Sequence, residues 1–333
     1  MLSALGAQTP AVSVLMPVHN GAPYLSSALA SLSEQTFGDF EIVAVNNGST
    51  DATAEILAEW AEREPRLRVA HLSRPGLSAA LNLAAKLARA PLLARLDADD
   101  VAFPHRLETQ VEVMRARPEL VVLGASATLI DIQGRATGTR RYPPLDRDIR
   151  AVQQTSSALI ASTTIMRAAA FERAGGYRVG LNVSEDFDLF LRLGEVGEMA
   201  NLHAALVGYR VHPTSITALQ PARMAIASLA VGAAAEARRI GAAQPFIAGV
   251  PHLRRALPLL NLTRKQARRS VWLRSTMNLL SRRLAAVRLP LSGRRILHRS
   301  AGFFRLEILY RLWLKSALQE KQSAVSRFAD RGR

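Results

Sequence analysis

The chain has 333 residues, 49% of them hydrophobic, which is enough for a sizeable core and about two domains by length. It contains no cysteine, so disulfides, thiolate metal sites and cysteine nucleophiles are excluded. The formal net charge of +16 is unevenly distributed. Residues 221–333 carry 23 Lys and Arg against 4 Asp and Glu, whereas residues 1–220 carry 20 against 23. We therefore predict two domains, residues 1–220 and a basic region of residues 221–333.

The N-terminal sequence lacks the basic stretch followed by an apolar stretch that marks a secretory signal. No uncharged apolar run reaches the 18 residues expected of a membrane-spanning helix. The longest candidates, Met224–Ala235 and Ile240–Leu253, are too short or are interrupted by Pro and His. We expect a cytoplasmic protein.

The first 130 residues alternate short β-rich runs with amphipathic segments, a pattern typical of a parallel sheet covered by helices. Apolar runs of strand length predict the strands Val12–Met16, Phe40–Val45, Leu67–Leu72 and Pro91–Leu96. Apolar residues at helical spacing predict the helices Tyr24–Gln35 and Leu77–Ala88. A further helix is predicted to begin near Asp51, with Ser49 or Thr50 as its cap.

The middle of the chain gives weaker signals. The predicted elements are a helix over Pro104–Arg117, a strand over Val121–Ile132 that turns at Gly134, a strand over Ala158–Met166, a helix over Ser184–Leu193 and a strand over Ala204–Val211. From residue 221 onward Ala, Leu and Arg dominate with little β-branching, so helices are predicted there, with interruptions at the prolines.

Three polar segments, PVHNG, NNGSTD and DADD, each follow a predicted strand. Ligands of open α/β sheets bind outside the carboxyl ends of the strands, so we expect these segments to converge on one crevice. The last one holds three aspartates within four positions, Asp97, Asp99 and Asp100. Carboxylates this close disfavour one another's ionisation unless a cation is present. Hard oxygen ligands suit Mg²⁺ or Mn²⁺, which commonly bridge carboxylates to substrate phosphates. For Asp100 alone, capping of the next helix is an equal alternative.

Taken together, five segments resemble the inverting glycosyltransferases of family 2, which have the GT-A fold. They are VSVLMPVHNG, QTFGDFEIVAVNNGSTDAT, LSAALNLAAKLARAPLLARLDADDVAFPHRLE, SEDFDLFLR and YRVHPTSIT, which occur in the family's order over residues 12 to about 215. The resemblance covers about two thirds of the chain and stops before the basic region. It implies an α/β fold, a mostly parallel sheet flanked by helices.

The resemblance implies a donor site for a nucleotide-sugar. Asp99 would be the metal ligand and Asp97 would contact the ribose or a metal-bound water. His212 would close the donor site and reach the metal or the diphosphate, although a lone histidine beside a strand is more often structural. Donor-binding roles are also implied for a set of residues that border the same crevice: Pro17, His19, Asn20, Asn46, Asn47, Arg74 and Asn82.

Two further parts of the resemblance concern the base and the acceptor. Relatives usually carry DDGS where this chain has Asn46 and Asn47, so the base is open: Asn47 can accept a base N–H through its amide oxygen but also offers donors. For Asn46, a role as a turn residue is the preferred interpretation. Glu185 and Asp186 match the family's acidic pair at the acceptor, with Asp186 as the predicted base and Glu185 as the alternative. The alternative interpretation of the segment that contains them is an amphipathic helix without a catalytic role.

Arginine doublets recur in the basic region, three of them at intervals of 14 residues, which returns them to nearly the same helical face. With the aromatic residues nearby, this favours attachment to an anionic membrane surface, and a solvated basic face is the alternative. The charge would also suit nucleic acid, but no nucleic-acid-binding motif accompanies it, so none is expected as a partner.

The sequence thus predicts a glycosyltransferase that uses Mn²⁺ or Mg²⁺ and transfers a sugar, most readily from a UDP-sugar, to a hydroxyl of a glycan or lipid-linked acceptor. We expect it in the cytoplasm, with peripheral attachment to the inner face of the membrane as an option. The alternatives are a sugar-1-phosphate nucleotidyltransferase, which would normally show a Gly-rich phosphate loop, and a membrane- or nucleic-acid-binding module with a degenerate donor site.

Overall fold

The computed structural model describes residues 9–153, 156–242, 244, 246–247 and 250–251. These residues form two compact units, and the chain passes from the first to the second between Gln220 and Pro221. A short hairpin of residues 246–247 and 250–251 is grouped with the first unit. The predicted acidic motifs all lie in the first unit.

The described secondary structure alternates strands and helices in the first half and becomes less regular in the second. The strands are β1 Val12–Val18, β2 Phe40–Asn47, β3 Leu67–Leu72, β4 Leu92–Arg95, β5 Val101–Ala102, β6 Leu120–Ile130, β7 Ala136–Arg140, β8 Ile165–Arg167, β9 Glu198–Arg210, β10 Phe246–Ile247 and β11 Val250–Pro251. The helices are α1 Leu25–Ser33, α2 Thr53–Arg63, α3 Leu77–Leu87, α4 Arg106–Ala116, α5 Asp146–Gln153, α6 Ala168–Arg173, α7 Glu185–Gly194, α8 Ile216–Leu219 and α9 Pro221–Arg239.

The first four strands form a parallel sheet in the order β3-β2-β1-β4. Strand β1 is central and buried along its whole length, which explains its uninterrupted apolar sequence. Because successive side chains of a strand point to opposite faces, β1 contributes to two cores. Val12, Val14 and Met16 pack in the core that includes α1, whereas Leu15 packs on the other side in the core that includes α3.

The remaining strands make the sheet mixed. Strand β8 pairs antiparallel with both β4 and β6, β6 pairs parallel with β9, and β5 pairs antiparallel with β9. Strand β7 forms an edge hairpin with β6. The predicted strand over Ala158–Met166 is largely wrong: a 3-10 turn occupies Ala161–Thr163, and only β8 follows as strand. The hydroxyls of Thr163 and Thr164 bond the carbonyls of Ile160 and Ala161 at 2.8 Å, so local bonds replace the sheet ladder there.

One predicted helix start is also corrected. Helix α2 begins at Thr53, and neither Ser49 nor Thr50 caps it. Instead the carboxylate of Asp51 accepts the Thr53 amide at 3.1 Å and the Thr53 hydroxyl at 2.5 Å. Asp51 also accepts the amide of Ala22 at 3.1 Å, so it ties the loop after β1 to the start of α2.

In the second unit, helix α9 starts where the composition of the chain changes, at Pro221. Proline suits the first turn of a helix because the amide that it lacks would have no partner there. Within the part of the chain that the structure describes, none of the helices is both long enough and apolar enough to cross a membrane. The predicted helices after residue 251 lie outside the described residues.

Candidate active site

The loops after β1 and β2 come together, as their positions at the carboxyl ends of adjacent parallel strands require. The backbone of Asn20 adopts positive φ, at 50°, and its amide donates to the Ser49 hydroxyl at 3.0 Å. The side-chain oxygen of Asn20, Oδ1, accepts a hydrogen bond from the Thr50 amide at 2.9 Å. His19 Nδ1 lies 2.9 Å from the backbone oxygen of Asn47. The His19 and Asn20 side chains are exposed at this rim of the sheet.

Asn46 and Asn47 are the last residues of β2, and both are buried. Asn46 Oδ1 accepts the Ser49 amide at 3.1 Å and closes the turn that follows the strand. Asn47 Oδ1 accepts the Gly76 amide at 2.7 Å. The amide oxygen predicted to accept a base N–H is therefore already engaged by the backbone, and this bond fixes the orientation of the Asn47 carboxamide.

Three other predicted donor-site residues occupy quite different positions. Pro17 lies inside β1 in register with Val45, and Arg74 is exposed in the loop between β3 and α3. Asn82, on α3, accepts the Tyr177 amide at 2.9 Å and donates to the Tyr177 carbonyl at 2.7 Å. Both ends of the Asn82 carboxamide are therefore used to hold the backbone of the segment that leads to α7.

The loop after β4 carries the three aspartates, and each carboxylate has different surroundings. Asp97 accepts hydrogen bonds from Nε and Nη2 of Arg95 at 2.8 and 3.3 Å. Of its side chain, 29% is exposed. Asp99 is the most open of the three, with 36% of its side chain exposed. Asp100 is buried. Asp97 and Asp99 are therefore the two that can meet a ligand.

Asp100 has a structural role that differs from the one predicted. Helix α4 begins several residues later, with His105 as its N-cap, so Asp100 does not cap it. Its Oδ1 instead accepts the backbone amide of Arg210 at 2.8 Å and joins the aspartate loop to the end of β9. Burial, and then the charges of Asp99 and Asp97, raise the pKa of Asp100 well above its usual value.

His212, just beyond β9, faces Asp99. Its Nε2 lies 2.9 Å from Asp99 Oδ2 and its Nδ1 lies 2.9 Å from the Thr214 hydroxyl. An ionised carboxylate can only accept, so Nε2 donates to Asp99, whereas the Thr214 hydroxyl can either donate to Nδ1 or accept from it. The ring also packs against Tyr24, with 5.1 Å between ring centroids. The structure thus brings together the two residues predicted as metal ligands.

The donor set of this pair suits a divalent cation. Imidazole nitrogen and carboxylate oxygen together suit Mn²⁺, and such ions take their remaining ligands from water and substrate phosphates. Replacing the Nε2 proton by a cation would also remove the need for the His212–Asp99 hydrogen bond. Within the described residues, no group of three or more His, Asp or Glu side chains is arranged to hold a metal without substrate.

The acidic pair lies at the first turn of α7. Ser184, the N-cap residue, has φ 59°, and this left-handed turn directs the chain into the helix. Glu185 is buried, and its Oε1 accepts Nη1 of Arg95 at 3.1 Å. Asp186 is less buried, and its Oδ1 accepts the Phe187 amide at 2.7 Å. Carboxylates are stabilised at this end of a helix by the peptide dipoles.

Both acids of the pair titrate above their ordinary range. Burial, and then the charge of Asp186, raise the pKa of Glu185 to about 7, although Arg95 acts in the opposite direction. Burial also raises the pKa of Asp186, while Arg95 and the Phe187 amide lower it in part. A carboxylate whose pKa is raised toward neutrality is a stronger base once ionised, which suits a group that accepts a proton.

Sequence reasoning missed two arginines under the aspartate loop. Arg95, the last residue of β4, bonds both Asp97 and Glu185. Arg106, on α4, is fully buried and donates to the Arg95 carbonyl at 2.7 Å and the Thr164 carbonyl at 3.3 Å. Burial lowers the pKa of Arg106 to about 10 against the opposing effect of Asp100 and Asp97. The sequence feature that could have revealed Arg95 is a charged side chain at the end of an apolar strand, because an unpaired charge is costly to bury there.

Comparisons with known proteins agree with this geometry. The family profile described as Glycosyl transferase family 2 matches residues 13–175. The O-antigen biosynthesis glycosyltransferase WbnJ of Escherichia coli is 32% identical over 208 residues, which cover 61% of this chain and 81% of WbnJ. The chain belongs to glycosyltransferase family 2. The predicted family and enzyme class are thereby confirmed.

Solved structures confirm the GT-A fold of this family 2 glycosyltransferase. TarS of S. aureus, in complex with UDP-GlcNAc, aligns with a TM-score of 0.57 at 20% identity over 68% of this chain and 66% of that one. The mannosyltransferase PcManGT of Pyrobaculum calidifontis, in complex with GDP-Man and Mn²⁺, aligns with a TM-score of 0.52 at 20% identity. This second alignment covers 97% of this chain and 88% of the mannosyltransferase. At these identities the likeness concerns the fold alone.

Proposed function

We propose that the enzyme is a metal-dependent inverting glycosyltransferase that moves a sugar from a nucleotide-diphosphate donor to a hydroxyl of a glycan or lipid-linked acceptor. The proposal rests on one observation: hydrogen bonds connect the loop of the proposed cation site to the acidic pair that includes the proposed base. The Asp97–Asp100 loop bonds His212 through Asp99, and its Asp97 is linked through Arg95 to Glu185 of α7, the neighbour of Asp186. A pair suited to a cation and a pair suited to a base therefore belong to one connected cluster.

On the donor side, Asp99 and His212 would hold the cation, which would stabilise the diphosphate as it leaves. Asp97 stands beside them with both oxygens oriented by Arg95, and its exposed part is available to the donor. The presence of Mn²⁺ in the structure of the mannosyltransferase of the same fold supports this role. We propose Mn²⁺ or Mg²⁺ as the cation.

On the acceptor side, Asp186 is the proposed base. Its Oδ1 accepts the Phe187 amide at 2.7 Å, a bond that orients the carboxylate, which would accept the proton of the acceptor hydroxyl. Glu185 is more buried and is engaged by Arg95, so it is less suited to touch an acceptor. Direct displacement with one base inverts the configuration of the anomeric carbon, and one well-placed base supplies about 10²–10⁴-fold in rate.

The donor is proposed to be a UDP-sugar, with GDP- and dTDP-sugars as the alternatives. TarS and PcManGT, which share the fold, bind UDP-GlcNAc and GDP-Man respectively, so the fold accommodates both bases. The similarity to an O-antigen glycosyltransferase supports a role in the biosynthesis of a cell-surface polysaccharide. We further propose a cytoplasmic location and attachment of the basic region to an anionic membrane surface.

The experiment is a screen of the purified full-length enzyme with Mn²⁺ against UDP-, GDP- and dTDP-sugars. Binding is followed by thermal shift, and turnover by release of nucleoside diphosphate in the presence of an acceptor panel. The proposal expects a cation-dependent release of nucleoside diphosphate with one class of donor. A second assay supplies a nucleoside triphosphate and a sugar 1-phosphate, and release of pyrophosphate from that pair would instead identify a nucleotidyltransferase. The same rate of transfer after removal of divalent cations with EDTA would contradict the metal requirement.

A further inference from the structure

Arg95 occupies the point where the two sides of the site meet. It is the last residue of β4, and only 4% of its side chain is exposed. One edge of its guanidinium, Nε and Nη2, faces the two oxygens of Asp97, and the remaining nitrogen, Nη1, donates to Glu185. Residues 95 and 185 are thus joined across the site by a buried ion pair of 3.1 Å.

The buried guanidinium of Arg95 acts on three carboxylates. Asp97 and Glu185 bond it directly, and Asp186 lies close enough for the charge of Arg95 to lower its pKa. Breaking a buried pair leaves an uncompensated charge, so the loop and the helix are held in a fixed relation as long as Arg95 is present. Tyr177 closes the same space, with its ring 5.8 Å from the Arg95 guanidinium carbon.

We infer that Arg95 is a positioning residue for sugar transfer, which fixes the acidic turn of α7 against the donor-side loop and so aims Asp186 at the reacting centre. The inference rests on the proposed function. Through Glu185, Arg95 holds the first turn of the helix, and through Asp97 it holds the residue beside the proposed cation site. With only 4% of its side chain exposed, Arg95 would act through these residues and not by contact with sugar or nucleotide.

Arginine is required for this role by its shape. A planar guanidinium presents a fork of two N–H groups to one carboxylate and further N–H groups to a second partner. A lysine ammonium would keep the positive charge but would not reproduce the fork on Asp97 together with the bond to Glu185. The Arg95→Lys variant therefore separates the effect of the charge from the effect of the geometry.

The chain offers a matched control at the opposite end of the sheet. Arg89 donates through Nε to the buried carboxylate of Glu41 at 2.9 Å, much as Arg95 does to Asp97, but near the amino ends of the strands. Loss of this arginine removes a comparable ion pair without touching the site. Arg89 is more exposed than Arg95, with 46% of its side chain accessible, so the Arg89→Met variant reports the cost of removing an arginine from a buried carboxylate at the other end of the sheet.

The test measures donor binding, kcat, KM and the pH profile of kcat for full-length wild type, Arg95→Met, Arg95→Lys and Arg89→Met. We expect Arg95→Met to bind donor within several-fold of wild type but to lose about 10²-fold in kcat, a loss typical of a misaimed catalytic group. Arg95→Lys should bind donor normally and recover less than a tenth of the lost kcat. Arg89→Met should keep the wild-type kcat.

The pH profile gives a readout that a merely structural role would not move. The titratable and charged groups that act on Asp186 or are acted on by it are Glu185 on its own helix, Arg95 on β4, Asp97 on the following loop and the phenol of Tyr177. Of these, Arg95 is the one that favours ionisation of Asp186. Its removal raises the pKa of the base, so the acid limb of kcat should move to higher pH in Arg95→Met and stay in place in Arg89→Met.

Several outcomes would overturn the inference while leaving the proposed function intact. These are an active wild type with an equally active Arg95→Met, full recovery of kcat in Arg95→Lys, or parallel losses of donor binding and kcat in Arg95→Met. If Arg95→Met does not fold, the double variant Arg95→Met/Glu185→Gln removes both charges of the pair, and wild-type kcat in that protein would equally overturn it. An inactive wild type with every donor would refute the proposed function itself.

Discussion

Two clusters of arginine and carboxylate stand at opposite ends of the parallel strands. At the amino end, the buried carboxylate of Glu41 is bonded by two arginines, Arg68 at 3.0 Å and Arg89 at 2.9 Å, and by the Ser13 hydroxyl at 2.7 Å. At the carboxyl end, the single guanidinium of Arg95 bonds two carboxylates, Asp97 and Glu185. The ratio of cations to anions is reversed between the two ends.

The pKa values of the two buried glutamates show what this reversal does. Burial raises the pKa of Glu41, but its hydrogen bonds from Ser13, Arg89 and Arg68 outweigh burial and leave it below the ordinary value. Glu185 lacks such compensation, and its pKa rises to about 7. The amino-end cluster is therefore satisfied within the protein, whereas the carboxyl-end cluster keeps an excess of acid that suits a cation, a sugar and an acceptor proton. By this difference we distinguish a structural cluster from the proposed functional one.

Among the acids of α7, the largest effect is expected from Asp186→Asn. The amide keeps the shape of the side chain but cannot accept the acceptor proton, so kcat should fall by about 10³-fold while donor affinity is kept. Steady-state rates together with calorimetric donor binding measure both quantities. The control is Asp148→Asn, which changes an exposed acid on α5 in the same way and should leave both kcat and donor affinity unchanged. Full turnover by Asp186→Asn would remove Asp186 from the role of base.

Changes at the proposed metal pair are expected to affect the cation requirement. Asp99→Ala removes the carboxylate and should abolish transfer at any concentration of Mn²⁺. His212→Ala leaves Asp99 in place and should raise the Mn²⁺ concentration for half-maximal rate about 10–100-fold, a loss typical of a weakened metal site. Titration of the rate with Mn²⁺ measures this shift. An unchanged Mn²⁺ requirement in His212→Ala would assign the histidine to the Asp99 hydrogen bond alone.

A smaller effect, on stability, concerns the two glutamates directly. Glu41→Gln leaves two arginines without their carboxylate and should cost about 1–3 kcal/mol in free energy of unfolding at neutral pH. Because the pKa of Glu41 is lowered in the folded state, the stability that Glu41 contributes is lost as the pH falls. The cost of Glu41→Gln should therefore shrink in acid.

Glu185→Gln should show the opposite trend with pH. The pKa of Glu185 is raised from 4.5 to about 7, so its contribution to stability is fully present below pH 4.5 and is lost as the pH rises through 7. Relative to wild type, Glu185→Gln should gain stability over that range, by at most about 3–4 kcal/mol for a shift from 4.5 to about 7 at 1.4 kcal/mol per pKa unit. Urea unfolding of wild type and both variants measures the two trends, from pH 4.5 to 8 for Glu185→Gln and from neutral pH to below pH 4.5 for Glu41→Gln. Parallel trends would contradict the distinction between the clusters.

The sequence was most informative where local patterns decide the structure. The strands β1, β2 and β4 are buried, so their runs were mostly apolar, and the polar turns after them marked the crevice. The aspartate loop and the acids of α7 were found through residue types and the family resemblance. In the second half, hydroxyl side chains formed a turn within a run that reads as a strand, and the edge strand β7 gave no apolar signal because it is mostly exposed.

The contacts that organise the site were beyond the reach of local patterns. The ion pair of Arg95 with Glu185 joins residues 90 positions apart, and the bond from the Arg210 amide to Asp100 joins residues 110 positions apart. Such pairs depend on how β4, α7 and β9 pack together. A charged residue is usually exposed, so the burial of Arg95 and Arg106 also ran against expectation.

The most direct test of the account is the configuration of the product. Once the donor screen has identified an active nucleotide-sugar, the reaction is followed by proton NMR, and the coupling constant of the anomeric proton is read in the first product formed. A single displacement with Asp186 as base predicts a glycosidic bond with the anomeric configuration opposite to that of the donor. A product that retains the donor configuration would contradict the account.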